Sequence, residues 1–470
     1  METLFLILFW IIFTLGVGYS VLKLLFFRAW PFFVGEALAL SYGIGIATIS
    51  IQMALMSICG IKFSALSTVL LFLPLILAAL FLGLPARLRE NRHQAGGLHR
   101  KSVLQHPPRD AAKMTFLEKF FVGIISFEVI YAFFRTLIKP MESYDSIAMY
   151  AFKSKIFYLG RMVPKDFFKS FADFVPHIEY PLLIPLAEAQ FYTFFGSLND
   201  HLVKIIFPLY YVALLAIAYS ICRRSLNRRA ALFFTFLLAT IPQVTDFATN
   251  GYADIPFAFY CSASFFYLYL WLKDKRRAVL ALSFIFSVFA IWTKAEGLLF
   301  TLINAAVVSI CMVKEKRVSL IGAVYALVSF LAVIAYVLGW RAIGFAVNSD
   351  FAGAHVPLTS KIITGFKRIP AIFYEYQIQF FGPKKWNIIW ILFIAGFIVG
   401  FKRIFSKELF PVTMAMLLVL SGYSMVYMLS SAPQGFGWHL STSGSRLFLH
   451  FVPIAVLWLA LMFKELKLEI

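Results

Sequence analysis

Three short acidic segments stand out in a chain that is otherwise mostly apolar. They are YDSIAMYAFKSK around Asp145, NGYADIP around Asp254 and TKAEG around Glu296. Carboxylates that gather at one face of a membrane can act as general bases or hold a metal ion. Each also has a plainer explanation. Asp145 and Asp254 can cap the helices that follow them, and Glu296 can pair with Lys294 at the surface.

Basic and polar residues near these segments suit an anionic substrate. Arg446 lies among serines and glycines in SSAPQGFGWHLSTSGSRLFLHF, where an arginine can bind phosphate through two parallel hydrogen bonds or extend to lipid headgroups. Lys153 and Lys155 can bind an anionic ligand or dock a helix on headgroups. The predicted substrate-binding residues are Lys153, Lys155, His177, Glu179, Tyr180, Lys294, Glu296, Arg446 and His450.

The composition requires a membrane protein. The 470 residues are 61% hydrophobic and 14% charged, and their apolar runs are long enough to cross the roughly 30 Å hydrocarbon layer. These runs lack two-residue alternation, which argues against a transmembrane barrel. The net charge of +20 comes mostly from residues beside the ends of apolar runs, as the positive-inside rule predicts. We therefore expect an all-α polytopic membrane protein that does not bind nucleic acid.

Hydropathy predicts about thirteen transmembrane helices. They lie near 3–25, 34–58, 64–85, 116–138, 202–222, 230–243, 256–272, 278–293, 297–313, 318–340, 387–401, 409–429 and 447–464. With the N-terminus outside and the C-terminus inside, the basic clusters at alternate ends all face the cytoplasm. The three acidic segments then share the opposite face. External loops near 139–200, 341–386 and 430–446 are expected, with interfacial helices in some of them.

One segment indicates a domain boundary. The stretch 87–114 is basic and contains Gly96-Gly97 and Pro107-Pro108, a composition typical of a flexible connector. We predict an N-terminal three-helix transmembrane extension at 1–86, a basic cytoplasmic connector at 87–114 and a larger transmembrane domain at 115–470.

The order of these motifs resembles the GT-C superfamily of membrane glycosyltransferases. It is most similar to glycosyltransferase family 39, the branch of protein mannosyltransferases and aminoarabinose transferases. The resemblance covers about 115–465 and rests on Asp145 after a helix, EYPLLIPL, GYADIP, TKAEG and SGSR. Relatives usually place the first aspartate after their first span, whereas three extra spans precede it here. The domain 115–470 is thus expected to be a GT-C-like catalytic domain.

The resemblance implies an inverting transfer of a sugar from a polyprenyl-phosphate donor to an acceptor outside the cytoplasm. By that correspondence Asp145 is the catalytic base, and Asp254 orients the acceptor or holds a metal ion. Lys294 and Arg446 would stabilise the departing lipid phosphate. No soluble cofactor is implied, because the lipid phosphate is the leaving group. Some relatives use a divalent cation and others do not, so the metal ligands are unknown.

Other functions are compatible with parts of this pattern. A ligase or polymerase of surface polysaccharide relies on a large external loop rich in arginine and histidine, and the loops here are modest. A lipid or solute transporter or flippase would carry ionisable groups in mid-span, whereas the acidic segments here lie at one rim. The sequence does not identify the sugar that is transferred. It also leaves open whether the acceptor is a glycan, a lipid or a protein. We expect a bacterial inner membrane protein with a periplasmic or extracellular site, although an endoplasmic reticulum protein would show the same charge pattern.

Overall fold

The chain folds into a bundle of α-helices. The computed structural model describes residues 2–27, 30–90, 113–342 apart from 173 and 175, 344, 358–430 and 435–469. The structure is 81% helical, and the described residues include no strand. The nineteen α-helices in these ranges are α1 Glu2–Leu25, α2 Val34–Ile58, α3 Ala65–Glu90, α4 Phe116–Ile138, α5 Phe152–Gly160, α6 Phe167–Ser170, α7 Leu183–Phe195, α8 Ile206–Arg223, α9 Arg228–Ala239, α10 Pro242–Phe247, α11 Asp254–Asp274, α12 Arg277–Thr293, α13 Gly297–Lys314, α14 Leu320–Ala342, α15 Leu358–Phe381, α16 Pro383–Trp386, α17 Ile389–Val399, α18 Leu409–Leu429 and α19 Phe436–Glu465.

Nine of the described helices are long and apolar enough to cross a membrane: α1, α2, α4, α8 with the turn before it, α11, α13, α14, α18 and α19. The all-α polytopic class is therefore confirmed. All thirteen predicted spans coincide with helices, but α9, α12, α17 and the apolar part of α3 are shorter. A helix rises 1.5 Å per residue, so the 12 residues of α9 extend only about 18 Å. The predicted count thus exceeds the number that qualify by length and composition.

The prediction of an external loop over 430–446 is wrong from Phe436 onward. That stretch is the first part of α19, which runs through Arg446 as one helix to Glu465. The serines, threonines and glycines of this stretch give it a low hydropathy, so it was predicted as a loop. The helix tolerates the hydroxyls because they donate hydrogen bonds to carbonyl oxygens of the same helix. Thr442 Oγ1 donates to the carbonyl oxygen of Trp438 at 2.8 Å, and Ser443 Oγ donates to that of His439 at 2.6 Å.

The helix α11 lies at the centre of the bundle. Its spanning segment is completely buried, and it packs against α8, α12, α13 and α19. Pro256 lies in its first turn, where the fixed proline φ suits a helix start. GYADIP therefore opens a helix, as predicted. Asp254 is the first residue of α11, so its carboxylate lies at one end of the most buried helix.

The N-terminal helices pack directly on the helices that carry the acidic segments. The Tyr260 hydroxyl in α11 donates to the carbonyl oxygen of Gly43 in α2 at 2.8 Å. Glu36 of α2 accepts from Arg224 Nη2 at 2.6 Å, and both side chains are buried. Residues 91–112 of the predicted connector lie outside the described residues, so the division into three domains stays a prediction.

Several short helices occupy the predicted external loops. A π-helical turn at Ser146–Ala151 follows Asp145 and continues into α5, which gives the helix expected after that aspartate. The helix α7 begins at Leu183, beyond Pro181, and Pro185 lies in its first turn, where a proline is tolerated. Single π-turns such as Ser146–Ala151 occur frequently at functional sites. Between 341 and 386 lies α15.

Candidate active site

Six of the predicted site residues meet in one place. We call them the charged cluster: Asp145, Asp254, Lys294, Glu296, Arg446 and His450. They come from the loop after α4, the start of α11, the turn between α12 and α13, and the middle of α19. The fold thus brings together the three acidic segments and the conspicuous arginine.

Asp254 is the centre of the charged cluster. Its Oδ1 accepts from Lys294 Nζ at 3.0 Å, from His450 Nε2 at 3.0 Å and from Arg446 Nε at 3.2 Å. Its Oδ2 accepts from Arg446 Nη2 at 3.0 Å. Asp254 is fully buried, and so much burial of a carboxylate requires charged and hydrogen-bonding partners of this kind. Its oxygens are therefore committed to neighbouring side chains.

Asp145 lies on the open side of the charged cluster. Its Oδ2 accepts from Arg446 Nη1 at 2.6 Å. The side chains of Asp145, Arg446 and Glu296 are 13%, 20% and 27% exposed, whereas Lys294 is 3% exposed and Asp254 and His450 are fully buried. Asp145, Arg446 and Glu296 therefore form the open side of the charged cluster.

The capping explanation fails for both aspartates. Asp145 precedes the π-helical turn without a side-chain capping bond, and the N-cap of α11 is Ala253 rather than Asp254. The pairing of Glu296 with Lys294 does occur, at 3.3 Å, but Lys294 also binds Asp254. Burial raises the pKa of Glu296 and Lys294 lowers it, with a net shift below the ordinary value. Glu296 is thus held as a carboxylate.

His450 supports Asp254 from inside the bundle. The Tyr423 hydroxyl lies 3.0 Å from His450 Nδ1, and the Phe257 ring meets the imidazole edge-on at 4.6 Å. If the tyrosine donates to Nδ1, then Nε2 carries the proton and donates to Asp254, which satisfies both nitrogens of a neutral ring. This arrangement assigns His450 as a residue that orients Asp254.

A second group of predicted residues lies around Lys153. The fully buried Lys153 Nζ donates to the backbone carbonyls of His177 at 3.2 Å, Ile178 at 2.9 Å and Tyr180 at 3.4 Å. His177 has a left-handed φ of 49° and stacks on the Tyr180 ring, and its Nδ1 lies 3.4 Å from Glu179 Oε1. The lysine therefore binds the turn that carries these three side chains.

The two predicted lysines have different environments. Burial lowers the pKa of Lys153 to about 7, and Glu179 opposes that shift. The ammonium has three N–H donors for the three carbonyls and the neutral amine has two, so deprotonation removes one of these hydrogen bonds and leaves the others. Lys155 instead pairs with Asp200 at 2.7 Å, with both side chains more than a third exposed, and makes no described contact with the charged cluster.

These environments predict unequal effects of removing the two amines. Lys153→Met should lower the free energy of unfolding by about 1–3 kcal/mol, because buried carbonyls lose their donor. Lys155→Met should change it by only about 0–1 kcal/mol, since it breaks an exposed ion pair. Thermal unfolding of the detergent-purified variants provides the measurement. Equal losses would contradict the assignment of Lys153 to the 177–180 turn.

Tyr252 was not among the residues predicted for the site, although it lies within the GYADIP motif. The Arg446 guanidinium carbon lies 4.8 Å from the ring centroid of Tyr252, within cation–π distance. Burial raises the pKa of Tyr252, and the nearby Asp145 raises it further. Tyr252 precedes Asp254 by two residues, so its motif position was the available signal.

Within the described ranges, no group of three or more histidine, cysteine, aspartate or glutamate side chains is arranged to hold a metal ion. In the charged cluster, the positive charge beside the carboxylates comes from Lys294 and Arg446.

The structure also contains an apolar cavity of about 540 Å³. Its lining comes from α2, the segment 163–168, Leu182, the end of α12 and α14. Trp292 lines it two residues before Lys294, and Tyr336 lies within electrostatic reach of Glu179 and Glu296. The basic side chain of Lys165 also lines this cavity. We refer to this space as the apolar cavity.

One family model matches part of the chain. The family model of dolichyl-phosphate-mannose-protein mannosyltransferases matches residues 179–340, a segment that includes Asp254, Lys294 and Glu296. No curated protein and no solved structure matches the chain. The predicted GT-C resemblance is confirmed by this match. Residues 179–340 therefore match a domain of the GT-C superfamily, which supports membrane glycosyltransferase activity for this multi-pass membrane protein.

Proposed function

We propose that the protein is an inverting glycosyltransferase that moves a sugar from a polyprenyl-phosphate donor to an acceptor at the non-cytoplasmic face of a membrane. The observation that carries this proposal is the charged cluster, in which the partly open carboxylate of Asp145 lies against Arg446. A base beside a cation is what such a transfer needs, since one accepts the acceptor's proton and the other stabilises the leaving phosphate.

The transfer itself assigns each group a role. The acceptor hydroxyl oxygen attacks the anomeric carbon while its proton passes to Asp145. The bond between that carbon and the phosphate oxygen breaks, and the electron pair leaves with the lipid phosphate. Attack opposite the leaving group inverts the anomeric centre. Lys294 and Arg446 are the cations of the charged cluster, and fixed charges stabilise a developing anion without reorganisation.

Arg446 has hydrogen-bond donors left for a phosphate. A guanidinium carries five N–H groups, and Arg446 uses one each from Nε, Nη1 and Nη2 on Asp145 and Asp254. The second hydrogen on each Nη is not used in these contacts. A phosphate on the open side can therefore bind Arg446 without displacing either aspartate.

The apolar cavity supports a lipid-linked donor rather than a soluble one. Its lining is mainly apolar and aromatic. It includes Trp292, two residues before Lys294 in the chain, and Tyr336, which is close enough to Glu296 to feel its charge. An isoprenoid chain in this space would bury apolar surface, which contributes about 25 cal/mol per Å². Part of its wall is α2, so the N-terminal helices would contribute to donor binding.

The non-cytoplasmic side is supported by charge asymmetry along α11. Asp254 and the charged cluster lie at its start, whereas Lys273 and Lys275 lie at its end. Basic residues accumulate at the cytoplasmic ends of spans. The proposed location is the bacterial inner membrane, with the site facing the periplasm or the cell exterior.

The decisive experiment determines which class of sugar donor the protein uses. The purified protein would be incubated with a panel of labelled polyprenyl-phosphate sugars and, in parallel, with the corresponding nucleotide sugars, together with glycan, lipid and protein acceptors. We expect release of polyprenyl phosphate together with a labelled acceptor, and no turnover of nucleotide sugars. Turnover of the nucleotide sugars alone would contradict the proposal.

A further inference from the structure

Tyr150 is a buried tyrosine whose hydroxyl has no hydrogen-bond partner among the described residues. It lies five residues after Asp145, in the π-helical turn Ser146–Ala151. Its hydroxyl is within electrostatic reach of Asp254, Tyr180, Arg446 and Asp145. The π-helical turn thus places this side chain near the charged cluster and near Tyr180 in the turn that Lys153 binds.

An unpartnered buried hydroxyl is costly in this protein's interior. Leaving such a group unsatisfied costs about 1–3 kcal/mol. Other buried tyrosines avoid the cost: the Tyr42 hydroxyl donates to the carbonyl oxygen of Ile206 at 2.9 Å, and the Tyr210 and Tyr260 hydroxyls lie 2.6 Å apart. Tyr150 therefore departs from the pattern of the core.

The second tyrosine of this kind lies at the apolar cavity. Among the described residues, Tyr150 and Tyr336 are the tyrosines whose buried hydroxyls lack a partner, and Tyr336 lines that cavity. Both unpaired hydroxyls thus lie where a lipid-linked donor is proposed to bind. A hydroxyl next to a ligand site can remain unpaired in the free protein because the ligand supplies its partner.

The chemistry of the hydroxyl favours an anionic acceptor. Burial raises the pKa of Tyr150 well above its ordinary value, and Asp254 raises it further, so the phenol stays protonated and donates. The neighbouring carboxylates already accept from Arg446. A phosphate oxygen is an acceptor only, and a hydrogen bond to a charged group is stronger than one to a neutral group.

We propose that Tyr150 contacts the donor directly, donating a hydrogen bond from its hydroxyl to an oxygen of the lipid phosphate beside Arg446. This role rests on the proposed function, because it takes the lipid phosphate as the ligand. It adds a neutral donor to the cations Lys294 and Arg446 around the leaving group.

The test compares two tyrosine-to-phenylalanine variants with farnesyl phosphate as the probe. Tyr150→Phe should leave the unfolding temperature of the free protein unchanged or higher, because it removes an unsatisfied group. It should weaken farnesyl phosphate binding about tenfold or more. The matched control is Tyr192→Phe, which loses a 3.0 Å bond to Asp200. That variant should lower the unfolding temperature and leave farnesyl phosphate affinity unchanged.

Farnesol serves as the uncharged probe, and its affinity should be equal in the wild type and in Tyr150→Phe. A lower unfolding temperature of the free Tyr150→Phe protein would overturn the inference, because the hydroxyl would then already have a partner. Unchanged farnesyl phosphate affinity in that variant would overturn it as well, while leaving the lipid-phosphate donor intact. No binding of farnesyl phosphate to the wild type would overturn the donor class and this role together.

Discussion

Asp145→Asn is expected to reduce sugar transfer by about 10²–10⁴-fold, the usual contribution of a general base. Asparagine has nearly the shape of aspartate but cannot take up the acceptor's proton. Its amide oxygen can still accept from Arg446, so the geometry should change little. Because Asp145 lies on the open side of the charged cluster, the variant should also fold and bind donor. Turnover, farnesyl phosphate binding and thermal unfolding would be measured on the same preparation.

Glu296→Gln is the matched control for that experiment. Glu296 is the other carboxylate on the open side of the charged cluster, and it pairs with Lys294 at 3.3 Å. We expect less than a tenfold loss of turnover, because no proton transfer is assigned to it. A loss in Glu296→Gln alone would transfer the role of base from Asp145 to Glu296. Full activity in both variants would rule out either carboxylate as the base.

The sequence predicted the helices well because their signal is local. An apolar run long enough to cross a bilayer is read from the chain itself, and every predicted span coincides with a helix. The positive-inside pattern then predicted which helix ends share a face, and three acidic segments on different elements do meet. The start of α19 was missed because its hydroxyl-rich sequence resembles a loop, although those hydroxyls bond within the helix.

Only the charged and ionisable residues of the site could be predicted from the sequence. Arg446 and His450 are four residues apart, so they share one face of α19, and both reach Asp254. Lys153 and Lys155 looked equivalent in the sequence. Two positions apart on a helix, they point in different directions, and only the packing shows that Lys153 is buried.

The aromatic residues of the site gave even less signal. The chain contains 54 phenylalanines and 21 tyrosines, so a tyrosine beside an apolar run predicts nothing particular. Tyr150 is distinguished only by its tertiary surroundings, where its hydroxyl lacks a partner. The contact of α2 with α11 was equally hidden, since it depends on how two apolar surfaces pack.

Asp254→Asn is expected to destabilise the protein by about 3–5 kcal/mol, the cost of removing one partner from a buried ion pair. Asp254 is the carboxylate that balances Lys294 and Arg446 inside the bundle, and it also accepts from His450. Without the Asp254 charge, Glu296 is the close carboxylate partner that Lys294 keeps among the described residues. The unfolding free energy of the purified protein is the measurement. Sugar transfer should fall as well, because the amide nitrogen of asparagine cannot accept and Arg446 therefore loses one of its two hydrogen bonds to this side chain.

Asp246→Asn provides the same chemical change at an exposed pair. Asp246 accepts from Arg135 at 2.6 Å, but its side chain is 49% exposed, so its loss should cost only about 0–1 kcal/mol.

Adding Lys294→Met to Asp254→Asn should restore part of the lost stability, since it removes a buried cation that has lost its main partner. Equal effects of the two aspartate substitutions, without recovery in the double variant, would mean that Asp254 does not hold the charged cluster together. The site's cations would then be positioned by the helices alone, and Asp254 would be left for a direct role at the substrate.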